Sequence, residues 1–383
     1  MVRISIPTLP PGPLLPPNEL TRLPPTLAAA HLADFLERGR GRTLVITGAG
    51  VSVDSGIRAY RGKDGHYANP NYKPILYHEL VEDTPRGELF RKRYWARSFL
   101  GYPPVRDARP NPTHIYVAAL QALGLAPNLI TQNVDNLHPK AASLILSSLP
   151  PQTRPPAPPS ILELHGTLAK VHCLKHHHAQ SRDDFQAELA GLNPIWDGEA
   201  KESERTGRRP RTNPDGDVDL PGADFTSFVV PTCRICAEEG IKSSIVKPNV
   251  VFFGETLTPH VRDTSLSLVS SASQILVLGT SLATYSAFRL VKQAAESGKE
   301  VLMISLGPSR ADKLAGVDKM ERKAGDVLRT YLDEVVKTNS GPEVDAVKAV
   351  LDQGVVITPP DVEGHGGGVT SEKWEAVEWF RER

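Results

Sequence analysis

Arg42-Thr43-Leu44-Val45-Ile46-Thr47 runs directly into Gly48-Ala49-Gly50-Val51-Ser52, a short apolar strand emptying into a glycine turn. Such a turn suits a bare backbone approaching a pyrophosphate, with amide N–H groups aimed at the anion. A plain tight turn carries the same residues, so the stretch says little alone. A dinucleotide fingerprint would add a third glycine at Val53 and an acidic residue about 20 positions on. The chain offers Tyr72 and Lys73 there, which argues against a dehydrogenase. Just past the turn, Ser55-Gly56-Ile57-Arg58-Ala59-Tyr60-Arg61-Gly62 is a loop with two guanidinium groups and an aromatic ring, able to fold over a nucleotide.

Working outward, further buried-type strands are predicted at Asn128–Thr131, Ile275–Leu278 and Val301–Ile304, with helix-length segments between them. Near-continuously apolar strands alternating with helices imply a parallel sheet covered on both faces. The predicted fold class is α/β, a doubly wound, Rossmann-like sheet. Thr26 is placed to cap a helix with Leu32, Phe35 and Leu36 on one face and a stop at Gly39. Between Cys173 and Cys236 the sequence turns His-rich, polar and Pro/Gly-punctuated, which predicts a small inserted module. The expected organisation is a Pro-rich tail over 1–25, a catalytic domain over 26–335 and a C-terminal tail over 336–383 with a Gly-rich stretch at Gly364–Gly368 and one short helix. Within the domain, Rossmann-like parts span about 40–165 and 245–335, and the module about 166–244.

Lys+Arg and Asp+Glu both total 44 in 383 residues, so no overall field draws the chain to nucleic acid or a membrane surface. Its apolar runs are strand-sized, far short of the roughly 20 residues of a spanning helix, and a soluble protein is expected. Three cysteines, an odd number, argue against a disulfide framework. All three fall in Cys173-x-x-His176 and Cys233-x-x-Cys236, two ligand pairs at tight-turn spacing. Tetrahedral zinc accepts three Cys and one His, and four protein ligands with no open position make a structural site. His172, His177 or His178 are alternatives to His176, and a zinc-free module is the other outcome.

The run from Gly48 to Gly62 resembles the sirtuin signature, and Thr131-Gln132-Asn133-Val134-Asp135-Asn136-Leu137-His138 resembles its second motif. Leu164-His165-Gly166 resembles the third, Val250-Val251-Phe252-Phe253-Gly254-Glu255 the acyl-lysine-binding strand, and Gly279-Thr280-Ser281-Leu282 the adenosine-side loop. The five motifs keep the family's order and spacing across roughly Leu27 to Leu332. Arg91 to Gly101, Leu192-Asn193-Pro194 with Trp196, and Pro214-Asp215-Gly216-Asp217-Val218 are similar to the class II, mitochondrial type.

The resemblance implies an NAD-consuming enzyme that removes acyl groups from protein lysines through an alkylimidate, releasing nicotinamide and O-acyl-ADP-ribose. His165 would be the base that deprotonates a ribose hydroxyl, a task suited to a neutral imidazole. Gln132, Asn133, Val134 and Asp135 would serve the nicotinamide and ribose, with Asn133 and Asp135 also catalytic. NAD would further contact Gly48, Ala49, Gly50, Ser52, Ser55, Gly56, Ile57, Tyr60 and Arg61 on one side, and Gly279, Thr280, Ser281, Ser305, Leu306, Gly307 and Ala324 on the other. Val251, Phe252, Phe253, Gly254 and Glu255 would line the substrate. Tyr94 and Arg97 are spaced as in sirtuins that clamp a carboxylate-bearing acyl group; a helix face with surface charge is the alternative.

Ala59 stands where many sirtuins carry Asp, Arg58 where many carry Pro, and Asn249 where Asp is common. Ser305 replaces an Asn on the adenosine ribose and has shorter reach, so weaker NAD binding is expected. The expected partners are acylated proteins, with no membrane and no direct nucleic acid; no heptad forces association. By resemblance the location is the mitochondrial matrix, with cytoplasm or nucleus as alternatives. ADP-ribosyl transfer to protein, or non-catalytic NAD-dependent binding of acylated proteins, are the competing functions.

Overall fold

The computed structural model describes residues 9, 19–61, 65, 67, 74–207, 212–218, 220, 222–241 and 243–352. Most of the Pro-rich start, Gly62, Tyr72, Lys73 and the Gly364–Gly368 stretch lie outside the described residues. The strands are β1 (Thr43–Thr47), β2 (Asn128–Thr131), β3 (Ser160–Glu163), β4 (Gly166–Cys173), β5 (Ala179–Ser181), β6 (Val246–Val250), β7 (Gln274–Leu278), β8 (Glu300–Ile304) and β9 (Val317–Met320). The helices are α1 (Glu19–Arg22), α2 (Pro25–Gly39), α3 (Tyr77–Val81), α4 (Pro85–Asp107), α5 (Pro112–Ala122), α6 (Leu137–Ser148), α7 (Arg182–Leu192), α8 (Pro194–Thr206), α9 (Arg234–Glu238), α10 (Pro259–Ser271), α11 (Tyr285–Glu296), α12 (Ala324–Thr338) and α13 (Pro342–Asp352).

Six strands form one sheet in the order β3-β2-β1-β7-β8-β9, and every pairing in it is parallel. The central strands are buried along their whole length, so both faces must be covered. Alternation divides the work. Val45, Leu129, Leu276 and Leu302 point into a core with α2, α5, α12 and α13. Leu44, Ile46, Ile275 and Val277 point the other way, against α10 and α11.

A second body is built on the antiparallel sheet β5-β4-β6. Its core packs Trp95 and Phe99 of α4 against Phe185 and Leu189 of α7, Trp196 of α8, and Cys173 and Cys236. Two expectations change here. Val246–Val250 joins this small sheet instead of resuming the parallel one near Ile245, because its partner is β4. Helix α4, expected within the first Rossmann-like part, adds Trp95 and Phe99 to the aromatic filling that Phe185, Trp196 and Phe228 of the insert supply.

The ends also differ from expectation. The cap of α2 is Pro24, with Pro25 in the first turn where its missing N–H costs nothing; Thr26 lies inside the helix, which does end at Gly39. Helix α13, expected in a tail, buries Val344, Ala346, Val347 and Val350 against the domain. Strands β3 and β9, short and half-polar, gave no signal strong enough to read.

If α13 is part of the domain, Val347→Asp buries an uncompensated carboxyl and lowers stability by about 3 kcal/mol or more. Urea unfolding measures this; a tail would leave the midpoint unchanged.

Candidate functional site

Strand order reverses between β1 and β7, and at such a switch point the loops leaving the carboxyl ends diverge and open a crevice. Here the two loops also touch. Gly50 N–H donates to Gly279 O at 2.8 Å, and a Cβ on Gly50 would sit 2.6 Å from that oxygen. A Cβ on Gly48 would meet the Thr280 side chain at 2.6 Å. Glycine is required at Gly50 by the facing backbone and at Gly48 by the Thr280 side chain. The crevice widens into a cavity of about 1340 Å³, above the roughly 300–1,000 Å³ of a single small-ligand site. Two ligands can lie side by side.

Gln132, just past β2, pins this crossing. Its Nε2 donates to Thr47 O and Thr280 Oγ1, both at 3.0 Å, and its Oε1 accepts from Thr284 Oγ1 at 3.3 Å. The side-chain amide expected to meet nicotinamide is thus engaged by the protein at both ends. Its backbone carbonyl accepts from His165 Nδ1 at 3.1 Å, which fixes the proton on Nδ1 and leaves a lone pair on Nε2. Ser286 Oγ, 2.8 Å away, must therefore donate to that lone pair. Burial holds the imidazole down to about pKa 4, partly offset by the Gln132 carbonyl. The ring is a neutral base facing the cavity.

Behind it lies a buried polar layer. Ser52 Oγ donates to Asp135 Oδ2 at 2.7 Å and accepts from Asn133 Nδ2 at 3.0 Å and His114 Nε2 at 3.2 Å. The His114 direction is set because its Nδ1 accepts from Asn111 N–H. Asn133 Nδ2 also donates to Gly48 O at 3.2 Å. Asp135 does not line the cavity. It accepts from Leu137 N–H at 2.9 Å, and burial raises its pKa. Ser52, Ser55, Gly56 and Ile57 likewise stand behind the wall, on the 3-10 turn Ala49–Ser55 and the glycine that ends it.

Ala49, Gly50, Tyr60, Arg61, Asn133 and Val134 line one part of the cavity, and Gly279, Thr280 and Ser281 the facing part. Ser305, Leu306, Gly307 and Ala324 close the end beyond β8. Ser305 Oγ donates to Thr280 O at 3.3 Å, so its short hydroxyl is spent on the loop. Val251 to Glu255 form another wall, fixed by the buried Lys247, whose ammonium pairs with Glu255 at 3.1 Å. Tyr94 lines the cavity and packs edge-on against Phe252, ring centroids 5.3 Å apart. Arg97 does not join it. Its guanidinium, only 4% exposed, pairs with Asp217 at 2.7 Å and donates to Val218 O at 2.6 Å, locking α4 to the 212–218 loop. The carboxylate clamp expected of Tyr94 and Arg97 is therefore not assembled, and neither is a solvent-facing charged surface.

Far from the cavity, Cys173, His178, Cys233 and Cys236 bring four ligand atoms within 4.8 Å of one another. Cys173 and Cys236 sulfurs lie 3.8 Å apart, and His178 Nδ1 is 3.6 Å from both Cys233 and Cys236. A tetrahedron with arms of about 2.3 Å to sulfur and 2.0–2.1 Å to nitrogen has edges of roughly these lengths. The donor set fits a metal ion. The fourth position expected for His176 goes to His178, because the left-handed turn at His177 (φ 56°) returns the chain beside Cys173. His176 is exposed, and its Nδ1 lies 3.6 Å from Cys236 Sγ and 3.8 Å from Glu239 Oε2.

Sequence reasoning missed Ser286, which lies one residue into α11 after the recognised Gly279–Leu282 loop. It also missed His114, whose signal was available: Asn111-Pro112 is a helix start, and His114 completes its capping box.

The Sir2 family matches residues 48–286. The chain is 42% identical over 294 residues to NAD-dependent protein deacylase SIR4 of Batrachochytrium dendrobatidis, covering 76% of this chain and 89% of that one. It is 35% identical over 321 residues to the mitochondrial NAD-dependent protein lipoamidase sirtuin-4 of Bos taurus, covering 84% and 88%. Among solved structures, Sir2 bound to acetylated peptide aligns with TM-score 0.52 at 25% identity, over 80% of this chain and 98% of that chain.

A neutral ring is favoured by folding, so its stabilising effect is complete above about 6.5 and is lost as pH falls toward about 4. By ¹⁵N NMR the His165 imidazole should titrate near 4. In Ser286→Ala, which removes a donor to the neutral ring, the midpoint should rise, while burial still holds it below 6.5.

Proposed function

This chain belongs to the Sir2 family, and we propose on that basis that it removes acyl groups from protein lysine side chains with NAD as co-substrate, yielding nicotinamide and O-acyl-ADP-ribose. The observation that carries the reading is the His165 Nε2 lone pair, turned to the cavity by the Nδ1–H bond to Gln132 O. The residues present fit NAD. Two glycines bring bare backbone to the cavity wall, and Tyr60 and Arg61 stand beside it. When bound, NAD supplies the ribose carbon at which the acyl oxygen displaces nicotinamide.

His165 Nε2 takes a proton from a ribose hydroxyl, and Ser286 Oγ, its present partner, must yield that place. Asn133 is held toward the nicotinamide ribose by Ser52 and Gly48, and Asp135 acts through Ser52. Ser305 to Gly307 and Ala324 take the adenosine side. The acyl-lysine lies along Val251 to Glu255 with its acyl chain against Tyr94 and Phe252, which also exclude water. With Arg97 held by Asp217, this wall suits an uncharged acyl chain.

In the second body we assign zinc to Cys173, His178, Cys233 and Cys236, where it would cross-link β4 to the chain around α9. We place the protein in the mitochondrion, as the bovine relative's name places that protein, and in its matrix by the family resemblance. Among the described residues no helix is long and apolar enough to cross a membrane.

Incubation with NAD and a panel of acyl-lysine peptides, followed by mass spectrometry, should give nicotinamide and O-acyl-ADP-ribose in equal amounts. His165→Ala should lower the rate by about 10²-fold or more. Mass gain on the acceptor protein would instead indicate ADP-ribosyl transfer, and unchanged NAD with bound peptide a binding module. Metal analysis should find one zinc per chain, lost in His178→Ala and kept in His176→Ala.

A further inference from the structure

Arg289 stands on α11 one turn beyond Ser286 and, like it, lines the cavity. Its Nε and Nη2 are sealed from solvent and have no hydrogen-bond acceptor among the described residues. A guanidinium offers five donors in a planar fork and no acceptor, so leaving part of the fork buried and unused is costly. Other charged groups on the wall have partners, although Arg322 Nε is likewise buried without an acceptor among the described residues. Arg262 chelates Asp263 at 2.7 and 3.2 Å, Arg322 donates to the carbonyls of Thr21 and Leu23, and Glu255 is held by Lys247.

Position selects the ligand. The glycine loops at Gly48–Gly50 and Gly279–Ser281 mark the nucleotide wall, and Tyr94 of α4 marks the acyl wall. Arg289 belongs to neither. Helix α11 packs on α10, and the same cavity is lined by Thr256, Leu257 and Pro259, which follow the substrate segment Val251–Glu255 in the chain. A peptide lying along that segment would carry the side chains next to its acylated lysine past Arg289.

We propose that Arg289 recognises a carboxylate of the peptide substrate, an Asp or Glu flanking the acylated lysine, through the planar fork that matches a carboxylate. The proposal rests on the deacylase reading for the path of the peptide alone.

Fluorescence anisotropy on the full chain without NAD tests it, using acetyl-lysine peptides that differ only in Glu or Gln beside the lysine. A third peptide has neutral flanks and succinyl-lysine. The Glu peptide should bind about tenfold tighter than the Gln peptide, a preference that salt weakens. Arg289→Gln should abolish the difference without changing the Gln peptide's affinity or the melting temperature, and Arg289→Lys should keep part of it. Equal affinity of the two peptides for the wild type overturns the proposal. So does equal loss for both in Arg289→Gln, or tighter binding of the succinyl peptide that disappears in that variant. Nicotinamide release is measured separately: its absence with every peptide counts against the deacylase reading, while the binding preference still decides the role of Arg289.

Discussion

The side-chain amide of Gln132 holds three chain segments in one arrangement. It bonds the end of β1 through Thr47 O and the loop after β7 through Thr280 and Thr284, while its own backbone continues β2. The same residue's carbonyl then orients His165. A parallel sheet that reverses its strand order leaves the loops at the switch point without a common partner, and a side chain with two donors and one acceptor supplies it. The base, the glycine crossing and the cavity mouth therefore share one anchor, and a slip at Gln132 would move all three.

The substrate wall depends on a different kind of constraint. The second body packs its own Phe185, Trp196 and Phe228 against Trp95 and Phe99 of α4, and ties that helix down with the buried Arg97–Asp217 pair. A buried pair is weak evidence for stability, since desolvation opposes the attraction, but removing either partner strands a charge. Arg97 is thereby committed to architecture. The Tyr-x-x-Arg spacing was visible in the sequence; that the arginine faces a loop aspartate and not the cavity was not.

Behind the catalytic wall, hydroxyls and histidines work as a chain of fixed polarity. Each member has one direction available to it: Asn111 N–H donates to His114, His114 to Ser52, and Ser52 to Asp135. Burial keeps His114 well below the usual histidine range, so its Nδ1 stays unprotonated and can accept from Asn111 N–H. Partly satisfied networks of this type are destabilising, and fully satisfied ones specify a single geometry.

The sequence alone determined the parallel α/β core, because strands buried on both faces must be apolar along their middles, and β1, β2, β7 and β8 are polar only at their ends. It also marked the glycine turn, the histidine and both cysteine pairs, since chemistry of that type restricts residue identity at close spacing. Tertiary structure decided what local patterns cannot carry. Val246–Val250, with Lys247, Pro248 and Asn249 between its valines, has no pattern that chooses a sheet, and only pairing with β4 assigns it. His176 and His178 are both histidines near a cysteine, and only the turn at His177 chooses between them. Ser286 and Arg289 look like any polar residues of an amphipathic helix until the fold sets one 2.8 Å from His165 Nε2 and buries Nε and Nη2 of the other with no acceptor among the described residues. Partners far apart in the chain leave no local trace, because a side chain's role is set by what packing brings to it.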